Sequence, residues 1–328
     1  MKVENKECSP LVTIICTVYN HEKYIRKSLD SMLQQETNFK FELIIHDDCS
    51  TDTTRQIIQE YHDKYPEQIK VILQDENQYQ KGKPIVEEFM LPLASGKYIA
   101  FCECDDYWTD SHKLQLQYDY MESHSNCSLC CHNTIYHCLN KDVPDYNFNS
   151  WTDIHIMNEY EVFMQWKVHT SSFFMRKEDG YRDENTIKYW FGDYVRLTSL
   201  YLKGDIAVLP QVMSQYNYGV ATGVLYNSDI SKLETKKKNV LQRKEYLVYL
   251  LNKYGKCEDM INRRIKITEL EAATLAEQSI IDTTNSKKEK QKAIRSIVRK
   301  KEFKEYLSVL RFFDVIKEYV KYGIKYIK

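Results

Sequence analysis

Short β-branched runs alternate with helical segments in the first third of the chain, and this alternation restricts the possible fold more than any other feature. The runs at 11–18, 41–46 and 69–73 have the composition of buried strands. Apolar residues recur at helical spacing over 21–35 and again between 50 and 65. Such βαβαβ units build a parallel sheet with right-handed crossovers, so the sequence predicts an α/β fold.

An acidic segment follows a fourth apolar run, which begins at Tyr98. Glu103, Asp105 and Asp106 fall within four residues, and Asp110 follows. Because ligands of open α/β sheets bind beyond the carboxyl ends of the strands, these carboxylates are candidates for holding a hard divalent cation such as Mg²⁺ or Mn²⁺. A solvated acidic turn before the helix that starts near Asp110 explains the segment equally well.

Two further regions place polar side chains where chemistry is expected. Asp48 ends the second predicted strand, where its carboxylate can accept a hydrogen bond from a nucleotide, and Thr17, Tyr19 and Asn20 end the neighbouring strand. Asp193 lies in an aromatic setting at the start of a predicted helix, as either an N-cap or a general base. The chain has neither a GxGxxG motif after a strand nor a Walker loop, so a metal and side chains would hold any nucleotide.

The composition argues against an integral membrane protein. The mean hydropathy is −0.57, and no apolar run approaches the roughly 20 residues that a spanning helix needs. The first ten residues lack the apolar core of a secretory signal. Ten cysteines without an export signal predict a cytoplasmic chain with free thiols. We predict no nucleic-acid partner.

The character of the chain changes near residue 229, where long charged helical segments with few Gly or Pro begin. We therefore predict an α/β domain at 1–228 and a basic α-helical extension at 229–328. Between 286 and 328 the chain has 14 Lys and Arg against 5 Asp and Glu. An amphipathic basic helix of this kind predicts contact with an anionic membrane surface, or with the domain itself or a second copy in a homo-oligomer. Both alternatives stay open.

Residues 9–226 resemble a family 2 glycosyltransferase of the GT-A fold, of the type that builds bacterial surface polysaccharides. The matching segments, in the family's order and spacing, are 10–20, 41–52, 96–108, 191–193, 203–210 and 214–216. The resemblance implies a Rossmann-like, mostly parallel central sheet flanked by helices, with the C-terminal helical extension outside it. It also implies a Mn²⁺- or Mg²⁺-dependent inverting transfer of a sugar from a UDP-sugar to a hydroxyl of a glycan or lipid-linked acceptor, at the inner face of the plasma membrane.

The resemblance also assigns roles to individual residues. Asp193 is implied as the catalytic base and Asp105 as the metal ligand, and Glu103 stands at the first position of the family's Asp-x-Asp motif. The residues implied in nucleotide binding are Thr17, Tyr19, Asn20, Asp48, Lys81, Glu103 and Asp105. Those implied in substrate binding are Asp106, Tyr107 and Trp108. Core packing is expected for one of these two aromatic side chains.

The chain departs from the family after Tyr216. Many relatives carry Arg-x-His there, which helps to hold the diphosphate or metal, whereas this chain continues with Asn217 and Gly219 follows two positions later. His169 is the candidate to compensate. The departure makes a catalytically silent nucleotide-sugar-binding module the second hypothesis. A sugar nucleotidyltransferase is a third, but that class normally carries a glycine-rich loop near the N-terminus, and the nine glycines do not cluster there.

Overall fold

The structure is a computed structural model that describes residues 9–139, 144–220 and 233–283, together with 288, 289 and 292. The domain boundary predicted at residue 228 lies outside the described residues. Most of the basic segment 286–328 also lies outside them, so its predicted contacts with a membrane or a protein stay predictions.

A single sheet is the framework of the larger of two compact units, which comprises the described residues up to 158 and from 166 to 220. Its strands are β1 (Val12–Val18), β2 (Phe41–Asp47), β3 (Ile69–Leu73), β4 (Tyr98–Phe101), β5 (Tyr107–Trp108), β6 (Cys127–Cys138), β7 (Tyr146–Asn147), β8 (His155–Ile156), β9 (Phe174–Arg176) and β10 (Asp205–Tyr218). They run in the order β3-β2-β1-β4-β9-β6-β10-β5, with β7 beside β6 and β8 beside β10. The pairs among β1 to β4, and the pair β6–β10, are parallel. This confirms the predicted α/β fold with a mostly parallel sheet.

The helices flank this sheet or form the smaller unit. In chain order they are α1 (Ile25–Leu33), α2 (Thr54–Lys64), α3 (Lys113–Ser123), α4 (Glu159–Met164), α5 (Lys177–Gly180), α6 (Gly192–Tyr201), α7 (Leu233–Tyr254) and α8 (Glu258–Thr283). A π-helical turn at Val86–Met90 and 3₁₀ turns at Leu91–Leu93 and Thr170–Ser172 complete the secondary structure.

The core of the larger unit forms where α1 and α2 cover the parallel strands. Each helix turns one apolar stripe inward, with Leu29 and Met32 on α1 and Ile58 on α2 fully buried. Strands β1 and β2 are buried along most of their length, as expected for parallel strands with both faces covered. The carboxyl ends of these strands are therefore fixed by a rigid core, and polar side chains that follow them are held in place.

The last strand is much longer than predicted. The sequence predicts a short strand at 206–209, and Pro210, which lacks a ladder donor, follows it. In the structure β10 continues to Tyr218, and its register to β6 shifts between Leu209 and Val212. The proline is accommodated at this irregularity, and the strand then resumes. As a result Tyr216 and Asn217 lie on an ordered strand rather than in a loop.

The smaller unit comprises α4, α7 and α8. Tyr246, Leu250 and Ile261 are buried within it. Arg243 of α7 donates to Glu271 of α8 at 2.9 Å, which links the two long helices. Within the described residues, no helix is both long enough and apolar enough to cross a membrane. The described part of the C-terminal extension is thus helical, as predicted.

Candidate active site

The acidic segment leaves β4 alongside the end of β1. The Cys102 and Cys104 N–H groups donate to the carbonyls of Ile15 and Thr17 at 3.1 and 3.2 Å. Cys104 also forms a disulfide with Cys16, which corrects the expectation of free thiols for these two residues. These contacts fix the backbone of the acidic segment to the first strand.

Asp105 and Asp106 are held from the other side by Asn217 of β10. The Asn217 side-chain amide donates to the Asp105 carbonyl at 2.6 Å, and its backbone N–H donates to Asp106 Oδ1 at 3.0 Å. Asp106 is 2% exposed, and burial, followed by repulsion from Asp105, raises the pKa of Asp106. The Asp105 carboxylate lies 3.8 Å from His21 Nε2. Asp110 is only a turn residue that accepts a hydrogen bond from the His112 N–H at 2.8 Å.

The Glu103 side chain is exposed at its position after β4. Neighbouring protein atoms, followed by the charges of Asp105 and Asp193, raise the pKa of Glu103. A cation bound nearby would favour its ionised form.

Asp193 is the second residue of α6, and it is near enough to Glu103 for its charge to act on that carboxyl group. The Tyr194 N–H donates to Asp193 Oδ1 at 2.8 Å. Burial raises the pKa of Asp193, while this hydrogen bond and the positive charge of Arg196 oppose the rise. The structure therefore brings the predicted base and the acidic segment together.

A buried ion network supports the start of α6. Glu87 accepts from Arg182 Nε at 2.7 Å and from Arg196 Nη2 at 2.5 Å, and all three side chains are almost fully buried. Arg182 also donates to the Tyr189 carbonyl at 3.1 Å, three residues before α6 begins. The network thus fixes the segment that carries Asp193. Its members were not found from the sequence, because nothing in the pattern links residue 87 to residues 182 and 196.

Asp48 binds the loop that follows β3. Its two carboxylate oxygens accept the backbone N–H groups of Gln78 at 2.7 Å and Tyr79 at 3.1 Å. Each oxygen can accept a second hydrogen bond, so a direct contact with a nucleotide stays a prediction. Lys81, in the same loop, forms an exposed ion pair with Glu76. Tyr79 is 48% exposed and its hydroxyl is influenced by the charge of Glu103, so this loop borders the cleft.

The end of β1 is a polar turn. Asn20 has a left-handed backbone with φ of 55°. Its side-chain oxygen accepts the Thr51 N–H at 2.7 Å, and its own N–H donates to Ser50 Oγ at 2.8 Å. The Asn20 side chain therefore joins the ends of β1 and β2. Thr17 and Tyr19 are half-buried beside it, and the predicted contacts of all three with a nucleotide stay predictions.

The two aromatic residues after the acidic segment have different surroundings. Trp108 is buried, and its indole N–H donates to the Ser171 carbonyl at 3.0 Å. Tyr107 is half-buried, with Lys27 Nζ 3.5 Å from the centre of its ring. Trp108 is thus the residue of the pair that packs in the core. Contact of Tyr107 with a substrate stays a prediction.

His169 lies beside Asp106, with 3.7 Å between His169 Nδ1 and Asp106 Oδ2. Burial lowers the pKa of His169 to about 3, so the imidazole is neutral, and Nδ1 accepts the Ser171 N–H at 3.3 Å. The Tyr216 ring stacks on His169 with 4.2 Å between ring centres. Burial and the charges of Asp106, Asp105 and Glu103 raise the pKa of Tyr216. Tyr216 and Asn217 are therefore site residues to which the sequence pattern assigned no role. The family resemblance marked the position after Tyr216, but the contacts of both residues were not predicted, since the predicted strand ends at residue 209.

A metal ion would fit this site together with a ligand rather than alone. Among the described residues, no three His, Cys, Asp or Glu side chains converge to form a metal site. Glu103, Asp105 and Asp106 nevertheless place three carboxyl groups within four residues after β4. Mg²⁺ usually binds through one or two carboxylates, waters and substrate phosphates. The donor set at Asp105 fits that mode of binding.

Comparison with known proteins gives a consistent assignment. Residues 13–184 match the family model described as glycosyl transferase family 2. A Mycobacterium tuberculosis (strain ATCC 25618 / H37Rv) protein of uncharacterised function is 34% identical over 209 residues, which are 62% of this chain and 58% of that protein. The Escherichia coli UDP-Glc:alpha-D-GlcNAc-diphosphoundecaprenol beta-1,3-glucosyltransferase WfgD is 39% identical over 111 residues, 34% of this chain and 41% of that enzyme. The chain thus spans less than two thirds of the length of these relatives.

The fold also matches a solved structure. The crystal structure of Staphylococcus aureus TarS 1–349 in complex with UDP-GlcNAc has a TM-score of 0.61 at 18% identity, covering 87% of this chain and 78% of that one. The likeness confirms the predicted GT-A fold.

Proposed function

Because the chain belongs to glycosyltransferase family 2, we propose that it transfers a sugar from a UDP-sugar to a hydroxyl of a glycan or lipid-linked acceptor, with inversion at the anomeric carbon. The observation that carries the proposal is that Asp105 and Asp193 are both near enough to act on Glu103, which follows the carboxyl end of β4. A general base and a group of carboxylates in one cleft are what this transfer requires of the protein.

The nucleotide is proposed to bind at the ends of β1 and β2. Asp48 fixes the loop that carries Tyr79 and Lys81 beside this edge, and Thr17, Tyr19 and Asn20 end β1 there. Asp105 would hold Mn²⁺ or Mg²⁺, with Glu103 or Asp106 contributing through water. When bound, the ion would neutralise the charge that develops on the departing diphosphate.

Asp193 is proposed to act as the general base. It takes the proton of the acceptor hydroxyl while that oxygen forms a bond to the anomeric carbon, on the face opposite UDP. The bond from the anomeric carbon to the diphosphate oxygen breaks, and its electron pair leaves with UDP. The raised pKa of Asp193 strengthens it as a base, because proton transfer is most efficient when the pKa lies nearer the working pH.

The pathway is proposed to be the assembly of a bacterial surface polysaccharide, at the cytoplasmic face of the membrane. WfgD is named for a lipid-diphosphate acceptor. The basic segment 286–328 would supply attraction to an anionic surface or contact with a second copy. The family match leaves no support for a sugar nucleotidyltransferase. A silent nucleotide-sugar-binding module is the remaining alternative, because Asn217 stands where many relatives have Arg-x-His.

Two measurements on the full-length chain test the proposal. Calorimetry with UDP and Mn²⁺ reports binding, and release of UDP from a panel of UDP-sugars reports turnover. We expect Asp193→Asn to lower turnover by about 10³-fold with UDP affinity unchanged. We expect Asp105→Ala to abolish the gain in UDP affinity that Mn²⁺ provides. Asp110→Asn is the matched control, since Asp110 is an acid of the same segment that only caps a turn.

Each outcome has a definite consequence. Unchanged turnover in Asp193→Asn would remove its role as the base, and unchanged dependence on Mn²⁺ in Asp105→Ala would remove its role as a ligand. Binding of UDP without release from any donor would favour the silent module.

A further inference from the structure

Four tyrosines form a surface beside the carboxylates, and the proposed mechanism gives these tyrosines no role. We call it the tyrosine platform, and its members are Tyr136, Tyr146, Tyr216 and Tyr218. Tyr136 of β6 is the register partner of Tyr146 on β7 and of Tyr216 on β10. Register partners point to the same face of a sheet, so these three rings form one row across three strands. Tyr218 lies two residues beyond Tyr216 and faces the same way.

The rings of the platform are in mutual contact and reach the surface. Tyr136 stacks on Tyr146 with 4.6 Å between ring centres and on Tyr218 with 5.3 Å. Tyr146 is 38% exposed, and the other three rings are half-buried. Phe148 is buried among Tyr136, Tyr216 and His169, which supports the row from below.

One end of the platform is part of the active-site cleft. Tyr216 stacks on His169, and His169 lies 3.7 Å from Asp106. Thr134 and Ser214, on the same face, share a hydrogen bond at 2.9 Å, and Ser214 continues to Ser171 at 2.9 Å. The row therefore starts at the carboxylates, continues over Tyr136 and ends at Tyr146.

The position in the sheet separates the platform from the nucleotide side. In the sheet order β3-β2-β1-β4-β9-β6-β10-β5, β1 and β2 lie on one side of β4, and β6 and β10 lie on the other. If the nucleotide occupies the ends of β1 and β2, as proposed above, the platform side is left for the acceptor. This step rests on the proposed function.

The chemistry of the platform favours an uncharged sugar ring. Tyrosine offers a flat apolar face and a hydroxyl, which suits a ligand with an apolar C–H face and hydroxyl edges. None of the four side chains is a cation, and Tyr216 stacks on His169, which lies 3.7 Å from an oxygen of the Asp106 carboxyl group. The four rings therefore supply no positive charge that would hold a phosphate-rich acceptor segment. We propose that the tyrosine platform binds pyranose rings of a neutral acceptor glycan, adjoining the sugar whose hydroxyl reacts.

Saturation-transfer NMR on the full-length chain tests this proposal, with cellotetraose, chitotetraose and maltotetraose as neutral probes and poly(ribitol phosphate) as the anionic probe. We expect saturation transfer to ring protons of at least one neutral probe at about 10 mM. We expect its affinity to fall about tenfold in Tyr146→Ala and to change less than about threefold in Tyr146→Phe, which keeps the ring. Tyr181→Ala is the matched control, because Tyr181 is 41% exposed in the same unit but outside the platform.

Three results would overturn the proposal. These are no transfer to any neutral probe, equal affinity in the wild type and Tyr146→Ala, or binding of the anionic probe alone. UDP binding with Mn²⁺ is measured on the same samples and is expected to be unchanged in Tyr146→Ala. Loss of oligosaccharide binding with UDP binding intact thus counts for the platform. Failure of the wild type to bind UDP counts against the proposed function instead.

Discussion

At the residue scale, Asn217 has the largest structural role that motif matching did not assign. Its side-chain oxygen accepts from Gln215 at 2.9 Å while its amide donates to the Asp105 carbonyl at 2.6 Å. Its backbone N–H meanwhile binds the Asp106 carboxylate. One residue therefore sets the backbone position of Asp105 and the side-chain position of Asp106.

Asn217→Ala is expected to impair the metal-dependent step more than the fold. The backbone hydrogen bond to Asp106 stays, but Asp105 loses the partner of its carbonyl. We expect the Mn²⁺ concentration for half-maximal activity to rise about tenfold, and unfolding free energy to fall by only about 1 kcal/mol. Asn126→Ala, which removes an exposed hydrogen bond to Asp205, is the control. An unchanged Mn²⁺ dependence in Asn217→Ala would contradict a positioning role.

Gly96 is required by the close approach of two backbones. A Cβ at this position would lie 2.5 Å from the Thr13 nitrogen and 2.7 Å from the Val12 carbonyl carbon. Backbone atoms of a buried strand cannot move aside, so we expect Gly96→Ala to lower the free energy of unfolding by about 3 kcal/mol. At Gly180 the added Cβ would meet only side chains at 3.6 Å or more. Equal denaturation midpoints for Gly96→Ala and Gly180→Ala would refute this account.

At the scale of elements, the ion network around Glu87 links the π-helical turn at Val86–Met90 to α6. Hydrogen bonds and charges from Arg182 and Arg196 lower the pKa of Glu87 although burial alone would raise it. Glu87→Gln leaves two buried guanidinium groups without their carboxylate, at a cost of about 3–5 kcal/mol in stability. The uncompensated arginines also lower the pKa of Asp193, since nearby positive charge favours the carboxylate. The acid limb of the pH–rate profile is expected to move to lower pH.

Glu88→Gln is the matched control for this prediction. Glu88 is the next residue and forms an exposed pair with Lys83 at 2.9 Å, which contributes about 0.5 kcal/mol or less. A Glu87→Gln protein as stable as Glu88→Gln would show that the network has no structural role. A lower denaturation midpoint with no change in the acid limb of the pH–rate profile would show that the network stabilises the fold but does not affect Asp193.

Glu42 of β2 joins β1, β3 and the segment before β4, at the strand ends opposite the site. Its carboxylate accepts from Thr13 of β1 at 2.7 Å, from Lys70 of β3 at 2.7 Å and from the Ser95 N–H, shortly before β4, at 2.6 Å. Burial alone would raise the pKa of Glu42, but these partners together lower it below its ordinary value of 4.5. Its contribution to stability is therefore complete above about pH 4.5 and is lost as the pH falls through the lower folded value.

Glu42→Gln is expected to lower the free energy of unfolding by about 2–3 kcal/mol at pH 7. The difference from the wild type should shrink below pH 4, because the wild-type carboxylate is then protonated as well. Urea denaturation at several pH values measures this, with Glu60→Gln as the control for an exposed pair with Arg26. A difference that stays constant from pH 7 to pH 3 would contradict a lowered pKa of Glu42 in the folded protein.

The elements show what could be predicted from the sequence. Strands β1 to β4 and helix α2 were predicted because each is a local pattern of apolar spacing. The positions of Asp105 after a strand and of Asp193 at a helix start are local as well, while their roles stay predictions. The predicted strand at 206–209 is shorter than β10, because the strand continues past Pro210 through a register shift against β6 that the sequence does not show. The roles of Tyr216 and Asn217 depended on that strand and were therefore not foreseen.

At the scale of the whole molecule, one sheet brings together residues that are far apart in the sequence. The acidic segment follows β4, Asp193 lies in the first turn of α6 and Asn217 near the end of β10, yet Asn217 binds Asp105 and Asp106 and the charge of Asp193 acts on Glu103. Local patterns predict each element but not these distances. The ion network of Glu87 and the tyrosine platform likewise arise from contacts between distant segments, which the spacing of residues along the sequence cannot predict.

A disulfide also joins two distant parts of the sequence: Cys16 of β1 and Cys104 of the acidic segment are 88 residues apart. Closing a loop of that length removes conformational entropy from the unfolded chain, and the chain-entropy model gives about 4–5 kcal/mol for it. Dithiothreitol is therefore expected to lower the free energy of unfolding by up to that amount. Urea denaturation with and without the reductant measures the difference.

Two cysteine variants make this prediction specific. Cys104→Ser should remove the sensitivity to dithiothreitol, because it removes the bridge itself. Cys49→Ser should keep the sensitivity, since Cys49 is a half-buried free thiol. Peptide mass mapping under non-reducing conditions, after alkylation and proteolysis, identifies the bonded pair. Two results together would contradict the prediction: identical urea midpoints for the wild type with and without dithiothreitol, and alkylation of both Cys16 and Cys104 in the unfolded protein before reduction. The pair would then be two thiols, and packing alone would fix the acidic segment to β1.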